Sequence, residues 1–371
     1  MRRVKKVLVA GVIVVGCLVS FFLIYRLNPV TLFEKSDTST ITTDWLDAKL
    51  AEWQPTKVSP VTFSMFFSSI SYGNVVQGWN TPAVLAADRD MLLQTGCQGL
   101  TIDLNYDPWL QNNQTLIDTD DSLIASIRAN GTLVVLKDAA AESYRNHKIS
   151  WAQFQDAWVA RVTFLAERYK PNYYTVIKEP GWYFAMIADF PINPDIFNEN
   201  TWTNLAARLI AAVKSVSPST KVGVSVPADI YHEKTGLHLR FMTQVITLPD
   251  LDFIGFDIYG PTGFDDTLLF LSQVGSNGKA VWINEAWTTT KAAESADSSQ
   301  QALDAEWAKV VYYFALKIGA QGLSPFFTDY LASYQPRPTD EAQLLSFYAG
   351  RTPVFYAFQD IIQANKNLAP I

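Results

Sequence analysis

The sequence predicts an α/β protein, a single (β/α)8 TIM barrel preceded by an N-terminal transmembrane helix, and three observations carry that reading. From Val61 onward, short β-branched and aromatic runs alternate eight times with amphipathic stretches of helical period. Several of the strand candidates are apolar throughout, as strands covered on both faces are. Ahead of this body, residues 7–25 are 19 consecutive residues without a charge, long enough at 1.5 Å per residue to cross about 30 Å of hydrocarbon.

The apolar N-terminal run is flanked on its near side by Arg2, Arg3, Lys5 and Lys6 and followed closely only by Arg26. This bias keeps the N-terminus in the cytoplasm and puts the body outside, so residues 1–26 are expected to anchor an extracytoplasmic protein. Two alternatives use the same residues. A cleaved signal has a shorter apolar core, and a lipoprotein signal, suggested by Val14-Val15-Gly16-Cys17, turns polar soon after its cysteine. Either would also export the body. Residues 27–58, with a Ser/Thr/Asp-rich stretch at 36–43, read as a tether plus a short helix, and residues 59–371 as the barrel.

Within the barrel, strands are expected at 61–67, 99–104, 132–136, 173–177, 222–226, 253–258, 280–283 and 322–327. Helices are expected at 82–94, 121–129, 151–169, 201–216, 239–246, 266–274, 300–317 and 353–364. In the third of these, Phe154, Trp158, Val162 and Leu165 recur at steps of four, four and three, which lines them along one helix face. A doubly wound open sheet is the alternative, but no G-x-G-x-x-G loop follows the first strand.

Composition narrows the function. A chain of 371 residues with 49% hydrophobic and 13% aromatic residues is too rich in core formers for disorder. The first 26 residues carry +5, which leaves −12 on the other 345, a charge that repels nucleic acid. With only Cys17 and Cys97 present, and Cys17 inside the apolar run, a disulfide scaffold is excluded.

In a barrel of this kind, chemistry sits where strands end at the C-terminal face. Glu179 closes the fourth strand candidate, Tyr173-Tyr-Thr-Val-Ile-Lys-Glu-Pro180, and Glu285 closes the seventh, Val281-Trp-Ile-Asn-Glu-Ala-Trp287. Two carboxyl groups across one barrel mouth suit glycoside hydrolysis, because one protonates the leaving oxygen while the other attacks the anomeric carbon or activates water. Trp182, Tyr183, Trp282 and Trp287 are candidates for an apolar wall, with Trp182 and Trp287 also offering faces on which sugars stack. Asp103, Asn105, Asp138 and Asp329 are further strand-end candidates for substrate contact, although polar strand ends also cap helices.

These residues resemble the clan A glycoside hydrolases, the cellulase-, mannanase- and galactanase-like barrels, over roughly residues 60–365. In that clan the acid/base Glu ends strand four, usually as Asn-Glu-Pro, and the nucleophile Glu ends strand seven. The resemblance implies these roles for Glu179 and Glu285, a retaining double displacement without cofactor, a glycan partner, and a Tyr contact to the nucleophile from Asp257-Ile-Tyr259. This sequence departs from the clan in several places. Lys178 replaces the Asn, no Arg near strand two or His after strand three is present, and strand eight ends Ser324-Pro-Phe326-Phe327-Thr-Asp329 rather than in Trp. A cation beside the acid/base would lower its pKa. Lys178 is therefore expected either to bind an anionic sugar group or to neutralise Asp103 or Asp138.

Other chemistries find less support. His147, His232 and His238 form no zinc-binding spacing, and His232-Glu233 reads as solvated polar residues. No metal is expected. No G-x-S-x-G elbow or Cys/His pairing suggests an esterase or thiol enzyme. Asn113-Gln-Thr115 and Asn130-Gly-Thr132 are glycosylation sequons. The expected function is a membrane-anchored glycosidase, and the alternative is a carbohydrate-binding pseudoenzyme on the same barrel.

Overall fold

The computed structural model describes residues 41–55, 59–67, 81–104, 114–138, 150–181, 194–288, 298–334 and 340–368. The expected anchor and the site candidates Asn105 and Trp182 lie outside these residues. Among the described residues no helix is long and apolar enough to cross a membrane.

Eight parallel strands close into a barrel in sequence order: β1 (Thr62–Phe66), β2 (Gly99–Ile102), β3 (Leu133–Lys137), β4 (Tyr173–Lys178), β5 (Lys221–Pro227), β6 (Phe253–Ile258), β7 (Ala280–Ala286) and β8 (Gly322–Leu323). Closure is made by Thr62 against Gly322 and Phe63 against Leu323. β8 is far shorter than expected because Pro325 has no N–H to donate and Phe327 has a left-handed φ of 52°.

Among the described residues the first helix is α1 (Thr43–Glu52), within the stretch where a short helix was expected. Around the barrel run α2 (Pro82–Leu93), α3 (Gln114–Ala129), α4 (Trp151–Tyr169), α5 (Glu199–Val216), α6 (Leu237–Val245), α7 (Pro261–Gln273), α8 (Ser298–Lys317), α9 (Glu341–Ala349) and α10 (Pro353–Lys366). Local signals set their ends. Thr81 caps α2 ahead of Pro82, and Ser150 forms a capping box with Gln153 at the start of α4. α9 was not expected; it begins at an Asp340 cap. α1 packs on α7 and α8, its Trp45 stacked on Trp307 of α8, with Trp53 just beyond it against Phe264 and Phe314.

The barrel interior is layered. At the bottom, Tyr173, Phe253 and Trp282 pack ring against ring. Gly223 and Gly322 make room for them, since a Cβ there would lie 2.3 Å from the Phe253 ring and 2.2 Å from the Trp282 ring. Above is a buried polar layer. Ser64 bonds Thr101 at 2.8 Å, Thr101 bonds Ser324 at 3.0 Å, and Asn284 accepts from Thr175 at 3.2 Å while donating to Ser225 at 3.1 Å. The charged residues form the top.

Two register shifts determine what reaches that top layer. On β4 the pairing jumps from Thr175/Gly223 to Ile177/Val224, and on β7 it jumps from Phe256/Ile283 to Asp257/Glu285. Each inserts one extra residue, and such a bulge re-aims the side chains that follow it. Thr175 and Lys178 therefore both reach the interior, as do the adjacent Asn284 and Glu285.

Candidate active site

The C-terminal mouth of the barrel brings together six of the expected site residues, Glu179, Glu285, Asp257, Lys178, Tyr259 and Phe326. One carboxylate oxygen from each of Glu179, Asp257 and Glu285 lies within 4.8 Å of the other two. All three residues are buried, Glu285 with 1% and Glu179 with 6% exposure.

Glu285 is held from both sides. Its Oε1 accepts from Lys137 Nζ at 2.8 Å and from Lys178 Nζ, and its Oε2 accepts from the Tyr259 hydroxyl. Burial alone would raise its pKa, but the charges and hydrogen bonds of Lys137 and Lys178 outweigh that and bring it down to about 2. The Tyr259 hydroxyl moves the other way, raised by burial and then by the charge of Glu285, so it remains a donor. This is the contact to the strand-seven glutamate that the resemblance implied.

Lys178 does not neutralise Asp103 or Asp138, as one sequence expectation had it. Arg161 of α4 does that, with Nε 3.1 Å from Asp138 Oδ1 and a guanidinium nitrogen 3.8 Å from Asp103. Tyr174 donates to Asp138 at 3.0 Å as well. Asp138 thus ties helix α4 to the barrel wall. Lys178 ion-pairs with Glu285 instead.

Lys137 is absent from the sequence-derived set, although it ends β3 and the strand-end rule applies to it. Its Nζ also donates to the Asn284 carbonyl at 3.0 Å, and its pKa is lowered by burial despite Glu285. Phe326 forms the apolar side of this pair, its ring centroid 5.5 Å from Lys137 Nζ and 4.8 Å from Lys178 Nζ.

Asp257 is the third carboxyl. Ser225 donates to its Oδ2 at 3.2 Å, while its Oδ1 has no hydrogen-bond partner among the described residues. Burial first, then Glu285 and Glu179, push its pKa well above the usual carboxylate range. The three carboxyl groups are close enough to share a cation, but Lys137 and Lys178 already occupy Glu285 Oε1. An incoming metal would have to displace an ammonium, so the donor set is poorly suited to one.

Other expected contacts sit elsewhere. Trp287 is 2% exposed and stacked on Tyr330 at 5.7 Å, a packed ring rather than an open platform. Trp282 lies in the bottom aromatic layer. Asp329 is half-buried in a 3-10 turn after β8, where its carbonyl accepts from Ala332 and Ser333. Of the His232-Glu233 pair, His232 is solvated, bonding Asp266 at 3.0 Å, but the Glu233 side chain is buried and accepts from the Thr235 N–H at 2.8 Å.

No family model matches the chain, and no curated protein matches it in sequence. Solved structures do. The exo-β-1,4-mannosidase from Opitutaceae bacterium strain TAV5 superposes with a TM-score of 0.59 at 10% identity, covering 90% of this chain and 64% of that one. The endo-β-1,4-mannanase from Thermotoga petrophila gives 0.54 at 14% identity, covering 84% and 78%. A fungal β-1,4-galactanase gives 0.52 at 13% identity, covering 78% and 100%. At such identities the likeness is one of fold: this chain is built on the eight-stranded parallel barrel that these glycoside hydrolases use, as a divergent example of it.

Proposed function

We propose that the protein is a membrane-anchored, extracytoplasmic glycoside hydrolase that cleaves O-glycosidic bonds of a glycan by a retaining, two-glutamate mechanism. The observation that carries this reading is the approach of Glu179 and Glu285 oxygens to within 4.8 Å in one barrel mouth. Retaining enzymes keep their carboxyl groups about 5 to 5.5 Å apart and inverting ones about 6.5 to 9.5 Å, and carboxyl oxygens this near each other are compatible with retention.

In this mechanism Glu179 protonates the glycosidic oxygen while a Glu285 oxygen attacks the anomeric carbon. Water activated by Glu179 then releases the sugar from Glu285. Lys137, Lys178 and Tyr259 hold the Glu285 carboxylate throughout. The apolar run at 7–25 supports a single membrane span with the N-terminus in the cytoplasm, keeping the activity at the cell surface.

The test is hydrolysis of nitrophenyl glycosides and of β-1,4-mannan and β-1,4-galactan, substrates suggested by the names of the structural neighbours. Glu179→Gln and Glu285→Gln should each abolish turnover, losing at least about 10³-fold, in folded protein. Wild-type rates in either variant would remove the assignment. The second reading, a glycan-binding pseudoenzyme, draws on the same contacts, since both oxygens of Glu285 already accept hydrogen bonds. Binding without cleavage by the wild type would favour it.

A further inference from the structure

Glu179 adopts a backbone conformation that its residue type resists. Its φ is 46°, in the left-handed region, and Gly181 two residues on has φ 84°. A non-glycine residue held there is strained by about 1–3 kcal/mol and stays only where its surroundings over-determine it.

The restraints are visible on both sides of the residue. The Glu179 N–H donates to the Ser225 carbonyl at 2.9 Å, which fixes the end of β4 against β5. On the far side, the Pro180 carbonyl accepts from His238 Nε2 at 2.9 Å. His238 belongs to the first turn of α6 and is only 1% exposed. It is itself held. Glu233 Oε2 accepts from the His238 backbone N–H at 3.4 Å. Glu233 in turn accepts from the N–H and the hydroxyl of Thr235, and its bond from the His238 N–H, together with that from the Leu237 N–H to the Thr235 hydroxyl at 3.1 Å, caps the first turn that Gly236 leaves without a side-chain acceptor.

We propose that His238 is a positioning residue for Glu179: together with Glu233 it clamps the Glu179–Pro180 turn and so aims the acid/base carboxyl at the glycosidic oxygen. The proposal rests on the reading of Glu179 as acid/base given above. The imidazole works as a neutral donor, since burial, outweighing Glu233 and Pro180, holds its pKa below the ordinary value.

The experiment compares His238→Gln, whose Nε2 retains the reach of the imidazole Nε2, with His238→Asn, which is polar but too short. Each is assayed on the nitrophenyl glycoside that the wild type cleaves best and on the matching 2,4-dinitrophenyl glycoside, whose leaving group needs no proton. In kcat/KM, which reports glycosylation and not the later release by water, His238→Asn should lose about 100-fold on the first and stay within about threefold on the second, the signature of a misplaced general acid, and Gln should restore both. Equal losses on both substrates, or no loss on either, would overturn the clamp. If the wild type cleaves neither substrate, the glycosidase reading fails, and the clamp is judged by carboxyl carbon NMR of Glu-labelled protein with Glu179→Gln as the assignment control. A Glu179 signal moved by Asn and restored by Gln supports it; an unmoved signal overturns it.

Discussion

Lys137 and Glu285 meet across the barrel, from strands four places apart in the closed sheet, with Nζ 2.8 Å from Oε1 and both side chains buried. Lys178 reaches the same oxygen from β4. A carboxylate between two ammonium groups is far easier to keep ionised than its burial would otherwise permit, and that pairing decides how the mouth of the barrel responds to pH.

Because the Glu285 pKa is depressed from 4.5 to about 2, this group contributes stability that is present above about pH 4.5 and is lost as pH falls through 2. Lys137→Met removes one of the two cations and should move that loss upward by about one pH unit or more. Thermal melts from pH 2 to 7 check this. Superimposable acid limbs in wild type and variant would mean that Lys178 alone sets the ionisation.

Asp257 behaves in the opposite sense. Its pKa is raised by burial and then by Glu285 and Glu179, so the stability it contributes is present at low pH and lost as pH rises through its folded-state value. Asp257→Asn keeps the partner of Ser225 and cannot ionise. It should match the wild type near pH 4 and melt about 2–4 °C higher at alkaline pH for each kcal/mol relieved. A variant less stable at every pH would contradict this.

The backbone at Glu179 gives a prediction that needs no activity. Glycine accepts φ 46° without a Cβ penalty and alanine does not. Glu179→Gly should therefore be more stable than Glu179→Ala by about 1–2 kcal/mol in denaturant melts, reversing the usual order of these residues.

At the bottom of the barrel, Gly322→Ala would set a methyl group 2.2 Å from the Trp282 ring, beside backbone that closes β8 onto β1. The expected cost is roughly 1–3 kcal/mol, read as a lower midpoint in urea with an unchanged slope. An unaffected midpoint would show that the ring can shift aside.

Much of this was legible in the chain itself. The eight apolar runs, the helical periods between them and the strand-end positions of Glu179 and Glu285 follow from local patterning, and β6 fell at 253–258 as expected. Lys137 was legible too, as a charged residue ending an apolar strand. The helix at Glu341–Ala349 was missed because its apolar residues, Leu344 and Phe347 among them, form too short a pattern to stand out.

What the sequence determined by itself was the alternation of strands and helices, since each element's hydrophobic period is a local property. The tertiary structure alone decided which charges meet. One extra residue in β4 and one in β7 break the two-residue alternation that any local reading must assume. Lys178 and Glu285 thereby turn into the interior and onto each other, while Asp138 turns out to Arg161. A bulge exists only relative to the neighbouring strand, so its effect on side-chain direction is fixed only when the sheet closes.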